Sequence, residues 1–112
     1  MIHKMKLKDK PFKLIKEEIK TIELRLYDEK RKLLNVGDVI EFTNIDTKEV
    51  IKVEILQLHR FNNFDDLYKH FNKISMGYEV NEVANPSDME EYYSKEEQQE
   101  YGVVGIEIKL LK

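Results

Sequence analysis

The chain has no cysteine, which excludes disulfides, thiolate metal sites and cysteine nucleophiles. It has only four glycines, Gly37, Gly77, Gly102 and Gly105, and their spacing matches no phosphate-cradling loop. No apolar run approaches the roughly 18 residues needed to span a bilayer, and no signal-peptide pattern opens the chain. His3, His59 and His70 are scattered along the sequence without a two-residue or four-residue pair, so neither a metal nor another cofactor is expected. Ser94 has no histidine near it in sequence and makes no credible nucleophile. Repeats, linkers and low-complexity segments are lacking as well. These absences point to a soluble, cytoplasmic protein with no membrane partner.

What is present suits one folded unit. A length of 112 residues fits a single domain over residues 1–112, able to build one core without staples. Its state of association is not fixed by the sequence, and a monomer is the favoured expectation. Hydrophobic residues make up 41% of the chain, including five Phe and six Tyr, while 37% are charged. A net charge of −3 provides no global field for nucleic acid. The charge is uneven, however. Lys4, Lys6, Lys8, Lys10, Lys13 and Lys16 crowd the amino-terminal segment, and Asp88, Glu90, Glu91, Glu96, Glu97 and Glu100 crowd another. Such a pair of faces can orient the molecule on a polyanion; a solvated edge strand protected by lysines is the plainer reading.

Periodicity predicts the elements. Ile2 to Leu7 alternates apolar and basic residues, as an edge strand does. Pro11 fits the first turn of a helix whose apolar face comprises Phe12, Leu14, Ile15 and Ile19. A strand over 20–27 follows, then a charged loop from Asp28 to Asn35 and a turn at Val36-Gly37-Asp38. Val39 to Phe42 and Glu49 to Leu58 read as a hairpin around a polar turn at 44–48. Phe64, Leu67, Tyr68 and Phe71 mark a helix over 64–72, with His70 at its surface. Asp65 and Asp66 suit the positive end of that helix dipole. Gly77 to Asn85 is irregular, and Asn85-Pro86-Ser87-Asp88 offers a helix start. Ser94 with Glu97 forms a capping box, Gly102 stops that helix, and Val103 to Leu110 closes the sheet. The order β-α-β-β-β-α-α-β predicts an α+β fold with a small mixed or antiparallel barrel-like sheet and flanking helices. A doubly wound nucleotide fold does not fit, because helices and strands fail to alternate.

Within this order Lys20-Thr21-Ile22-Glu23-Leu24-Arg25 stands out. Ile22, Leu24 and Leu26 recur at every second position and should face a core, leaving Thr21, Glu23, Arg25 and Tyr27 on the opposite face. A carboxylate and a guanidinium two residues apart on one strand face can make a fixed polar site.

The segment resembles the signature of the ASCH (activating signal cointegrator homology) domain, Gly-x-Lys-x-x-Glu-x-Arg. Lys20, Glu23 and Arg25 occupy its charged positions, and Glu18 stands at the glycine position. Val36-Gly37-Asp38-Val39-Ile40-Glu41-Phe42 is similar to the family's following strand. Tyr92-Tyr93-Ser94 with Tyr101-Gly102-Val103-Val104-Gly105-Ile106 is similar to the end of its bacterial and archaeal single-domain members. The resemblance covers essentially the whole chain. It implies a PUA-like β-barrel, related to domains that bind RNA, with a cleft between barrel and helices that holds the charged signature residues.

Two functions follow as expectations. One is binding of RNA or a modified nucleoside in a cleft around Lys20, Thr21, Glu23 and Arg25. There Tyr27, Tyr78, Tyr92 or Tyr93 would stack a base, and Glu23 would accept a bond from an exocyclic amine. For Tyr92 and Tyr93, adjacent in sequence, core packing is the competing role of at least one. The alternative is an amidohydrolase acting on 4-acetylcytidine or a related acylated nucleoside, as the resemblance to small bacterial members implies. Lys20 matches the lysine of that set. Glu23 stands where the nucleophilic threonine would be, Thr21 is offset by two residues, and Glu79 and Glu82 are nearby candidates for the glutamate. Catalysis by Glu23 as a general base with Lys20 polarising the amide would then be a different mechanism.

Overall fold

Short alternating segments and well-formed caps set the elements of the computed structural model, which describes residues 1–112. In chain order these are β1 (Ile2–Leu7), α1 (Asp9–Lys16), β2 (Ile22–Leu26), β3 (Val39–Asn44), β4 (Val50–Phe61), α2 (Phe64–His70), α3 (Lys95–Tyr101) and β5 (Val103–Leu110). Two 3-10 turns, at Arg31–Leu33 and Pro86–Glu91, complete the order. The expected β-α-β-β-β-α-α-β succession is therefore present. The turn at 31–33 corrects the loop expected there, because Leu34 behind it is a buried core residue.

The five strands form one mixed sheet in the order β1-β3-β4-β5-β2. β1 runs parallel to β3, while the β3–β4, β4–β5 and β5–β2 pairs are antiparallel. The two edge strands, β1 and β2, do not pair with each other. They nevertheless approach closely, for the Arg25 guanidinium on β2 donates through Nη2 to the Lys6 carbonyl on β1 at 3.0 Å. The sheet is thus curled into a half-barrel whose seam is spanned by a side chain rather than by a ladder of backbone bonds.

Its two faces carry separate cores. The concave interior holds Met5, Leu7, Ile40, Phe42, Val53, Ile55, Val104, Ile106 and Ile108, capped by Phe12 and Ile15 of α1. Outside the sheet, Ile22, Leu24, Leu26 and Val103 pack against Phe64 and Leu67 of α2 and against Met76. β4 serves both, because a bulge between Ile55 and Gln57 shifts its register. That extra residue explains the three-residue step from Ile55 to Leu58 in an otherwise alternating strand, and it leaves Leu56 exposed.

One local expectation changes. Ile19 belongs to no helical face: α1 ends before it and its side chain is exposed. The chain leaves α1 through a Schellman motif, in which Glu18 N–H bonds to Ile15 O and Ile19 N–H bonds to Leu14 O. Glu18 takes φ of 64°, the left-handed conformation usual for glycine. The tight turn of the signature is kept without its glycine. At the other end of the chain Ser94 and Glu97 do form a capping box, and Gly102 follows α3 with φ of 71°.

A cleft at the half-barrel seam

β2 is buried on both faces, not on one. Glu23 is 5% exposed and Lys20 6%, values otherwise typical of the apolar core. Lys20 lies just before β2 rather than in it. Its ammonium donates to Ile22 O and to Met76 O, each at 2.8 Å, and stands 3.4 Å from Glu23 Oε1. All three of its protons are thereby directed at protein oxygens. Glu23 Oε2 accepts from Arg25 Nε at 2.7 Å. One carboxylate is held between two cations, which offsets the cost of burying it.

These contacts shift the groups in definite directions. Burial lowers the Lys20 pKa below its ordinary value, against the raising influence of Glu23. Burial also works to raise the Glu23 pKa, but Arg25 and Lys20 together outweigh it and bring the carboxyl below its ordinary 4.5. Glu23 is accordingly ionised at neutral pH. Burial works to lower the Arg25 pKa, but the Glu23 carboxylate outweighs it and raises the guanidinium above its ordinary value.

Gly77 makes the Lys20 arrangement possible. The loop carrying Met76 O crosses directly over the lysine, and a Cβ on Gly77 would lie 3.1 Å from Lys20 Cδ. Gly77 also has φ of 105°, a conformation that side chains other than hydrogen rarely tolerate. Lys20 is thus a tie between β2 and the 72–78 loop. Arg25 lines the same cleft as Lys20 and Glu23 but differs from Lys20 in that its Nη1 makes no hydrogen bond within the protein.

Above the triad the seam opens into a cleft of about 470 Å³. One lip comes from β1 and α1 and presents Lys6, Lys8 and Lys10; the other comes from 76–93 and presents Tyr78, Glu82, Asp88, Glu91 and Tyr92. Part of the basic segment therefore faces Asp88 and Glu91 of the acidic segment together with Glu82, while Glu90 and Glu100 line a different hollow. The two lips pair across the opening at Lys8–Glu91 (3.7 Å) and Lys10–Glu82 (3.4 Å), and the Lys8 ammonium lies 5.1 Å from the Tyr92 ring centre.

The remaining sequence-predicted residues divide between this cleft and other places. Tyr92 is 52% exposed and lines it. Tyr93 lines it too, but its ring stacks on Phe64 at 6.1 Å in the outer core, so packing accounts for much of that residue. Tyr27 lies elsewhere, beneath Arg60 at 4.1 Å, in a broader polar hollow of about 1100 Å³ that contains none of the triad. Thr21 lines a third hollow with Glu18, Phe71 and Ser75. Glu82 reaches the cleft, whereas Glu79 is exposed and meets Glu82 through its backbone, its N–H donating to the Glu82 carboxylate and its carbonyl accepting from the Glu82 N–H. His59 and His70 meet with ring centres 5.7 Å apart, and His59 Nε2 lies 2.9 Å from Glu107 Oε1. No group of three His, Asp or Glu side chains is placed to hold a metal ion.

Sequence reasoning missed Tyr68 and Asp88 as cleft residues. Tyr68 reads as one more apolar position on α2, and Asp88 as a helix-start acid. In the fold, the Tyr68 hydroxyl lies 2.8 Å from that of Tyr78, which donates to Asp88 Oδ2 at 2.7 Å.

A family model described as "ASCH domain" matches residues 5–112. The chain belongs to the ASCH domain family. Two solved structures resemble this ASCH domain along its whole length. The crystal structure of hypothetical protein PH0355 is 29% identical with a TM-score of 0.84, covering 99% of this chain and 100% of that one. The solution structure of protein PF0455 from Pyrococcus furiosus is 32% identical with a TM-score of 0.72, covering 100% and 99%. A serine-to-alanine mutant of ZmASCH from Zymomonas mobilis is 13% identical with a TM-score of 0.61, covering 96% of this chain and 67% of that one, and shares the fold. No curated protein matches the chain. The curled five-stranded sheet with flanking helices is the PUA-like architecture expected of an ASCH domain.

Proposed function

We propose that this ASCH domain binds RNA, or a nucleoside unit of it, in the cleft at the half-barrel seam. One observation carries the reading. Three lysines, Lys6, Lys8 and Lys10, and the unengaged Nη1 of Arg25 converge with an exposed tyrosine, Tyr92, on a single opening of nucleoside size. Ammonium groups follow a phosphate backbone, an aromatic face stacks a base, and a guanidinium edge takes a phosphate or a base oxygen. The kinship of ASCH domains with PUA-like RNA binders supports the same ligand class. In this reading the protein acts in the cytoplasm as a monomer, and Lys20 and Glu23 set the floor of the cleft without touching the ligand.

Salt dependence tests this directly. Single-stranded RNA should bind with a logarithmic salt slope that falls by about 0.7 for each phosphate-contacting lysine removed. Lys8→Ala with Lys10→Ala should therefore weaken binding and flatten the slope together. Salt-insensitive binding, or an unchanged slope in the double variant, would sink the reading.

The hydrolase alternative finds less support in the geometry. Polarising an amide carbonyl requires a free proton on Lys20, and its protons point at Ile22 O, Met76 O and Glu23. Release of cytidine from 4-acetylcytidine, abolished by Glu23→Gln in a protein that remains folded, would reverse this preference.

A further inference from the structure

The hydroxyl chain in the cleft has a fixed direction. The Tyr78 hydroxyl donates to the Asp88 carboxylate, so its single proton is committed to Asp88 Oδ2 at 2.7 Å. Tyr68 must then donate its own proton to Tyr78 at 2.8 Å. Both hydroxyls keep their protons at neutral pH: burial leads in raising each, and for Tyr78 the bonds to Tyr68 and Asp88 add to it. The rings hold the order in place, packed edge to face at 5.9 Å. The consequence is a wall without a free proton. Tyr68 Oη presents lone pairs only, and Asp88 Oδ1, which has no partner in the protein, presents lone pairs as well. All three residues line the cleft, across from the lysine lip.

We propose that this wall selects a nucleotide whose base carries an exocyclic amino group, as in cytosine or adenine, over the keto counterpart, as in uracil or hypoxanthine. The inference rests on the cleft being the RNA or nucleoside site and names the ligand class that site prefers. With the phosphate at Lys6, Lys8 and Lys10, the base reaches toward the tyrosines. An amine there donates to Tyr68 Oη or Asp88 Oδ1, whereas a keto oxygen meets acceptors and loses its hydrogen bond to water. A site built to receive a donor at the exocyclic position discriminates against an analogue that places an acceptor there and carries its N–H on the adjacent ring nitrogen instead.

Calorimetric titration of the full chain with cytidine 5′-monophosphate and uridine 5′-monophosphate tests the idea. The cytidine nucleotide should bind about tenfold more tightly, within the range for one specific base contact. Tyr78→Phe, which keeps the ring and removes the acceptor of the Tyr68 proton, frees Tyr68 to donate and should shrink that ratio to within about threefold. Equal affinities, a preference for uridine, or an unchanged tenfold ratio in Tyr78→Phe would each overturn the inference while leaving RNA binding as the function. Failure of both nucleotides to bind while RNA binds with steep salt dependence would overturn it too. Loss of RNA binding as well would remove the underlying reading.

Discussion

Glu23 is the residue on which the cleft floor turns, because it is the only anion between two buried or nearly buried cations. Removing one member of such a group leaves uncompensated charge in a poorly solvated place, so Glu23→Gln should destabilise the fold by about 3–5 kcal/mol in urea denaturation. A loss below about 1 kcal/mol would mean that Lys20 and Arg25 are solvated after all. The pH dependence has a definite sense. The folded pKa of Glu23 lies below the ordinary 4.5, so the unfolded chain takes up the proton first as pH falls. The stabilisation is complete above pH 4.5 and disappears as pH drops through the folded value. Wild type and Glu23→Gln should therefore converge in stability below that point, which acid titration of the urea midpoint would show. Only the residue types of this triad were legible in the sequence. That Lys20 spends its protons on Ile22 O and Met76 O depends on a loop more than 50 residues away, and no local pattern announces it.

At the scale of elements, the turn after α1 fixes where Lys20 enters β2. Glu18 occupies it in the left-handed conformation, which costs a side-chain-bearing residue roughly 1–2 kcal/mol. Its ion pair with Lys112 at 3.0 Å is exposed and offers little in return. Glu18→Gly should accordingly raise stability by about 0.5–1 kcal/mol, less the added freedom of glycine in the unfolded chain. A lower melting temperature in that variant would show that the Schellman turn is held mainly by Glu18 contacts. Capping chemistry of this kind was readable in advance: the Ser94–Glu97 box and the Gly102 stop rest on interactions within a few residues. Strand ends were less so. The bulge in β4 changes which face its later residues present, and it arises from pairing with β5 rather than from β4 itself.

For the whole molecule, the seam between β1 and β2 places the charged segments opposite each other. The pairs Lys8–Glu91 and Lys10–Glu82 join side chains that remain substantially exposed, and such pairs are screened by salt and by water. Lys8→Ala with Lys10→Ala should therefore leave the urea midpoint almost unchanged while weakening RNA binding. A large drop in stability would recast the lysines as structural and remove their assignment to the ligand. Two of the three lip lysines, Lys8 and Lys10, have an acidic neighbour across the opening, so their charge is balanced until a ligand exchanges partners with them, whereas Lys6 has none.

Alternation, caps and turn residues determined the element order, the α+β class and the hairpin of β3 with β4, because those signals act over two to five residues. The Lys20, Glu23 and Arg25 signature and the family likeness were equally present in the chain. Tertiary structure alone decided the burial of both faces of β2, the exclusion of Thr21 and Tyr27 from the cleft, and the Tyr68–Tyr78–Asp88 chain. Each depends on which distant segments the curled sheet brings together. Contacts between residues remote in sequence are set by packing of the complete core, and residue spacing along the chain carries no record of them.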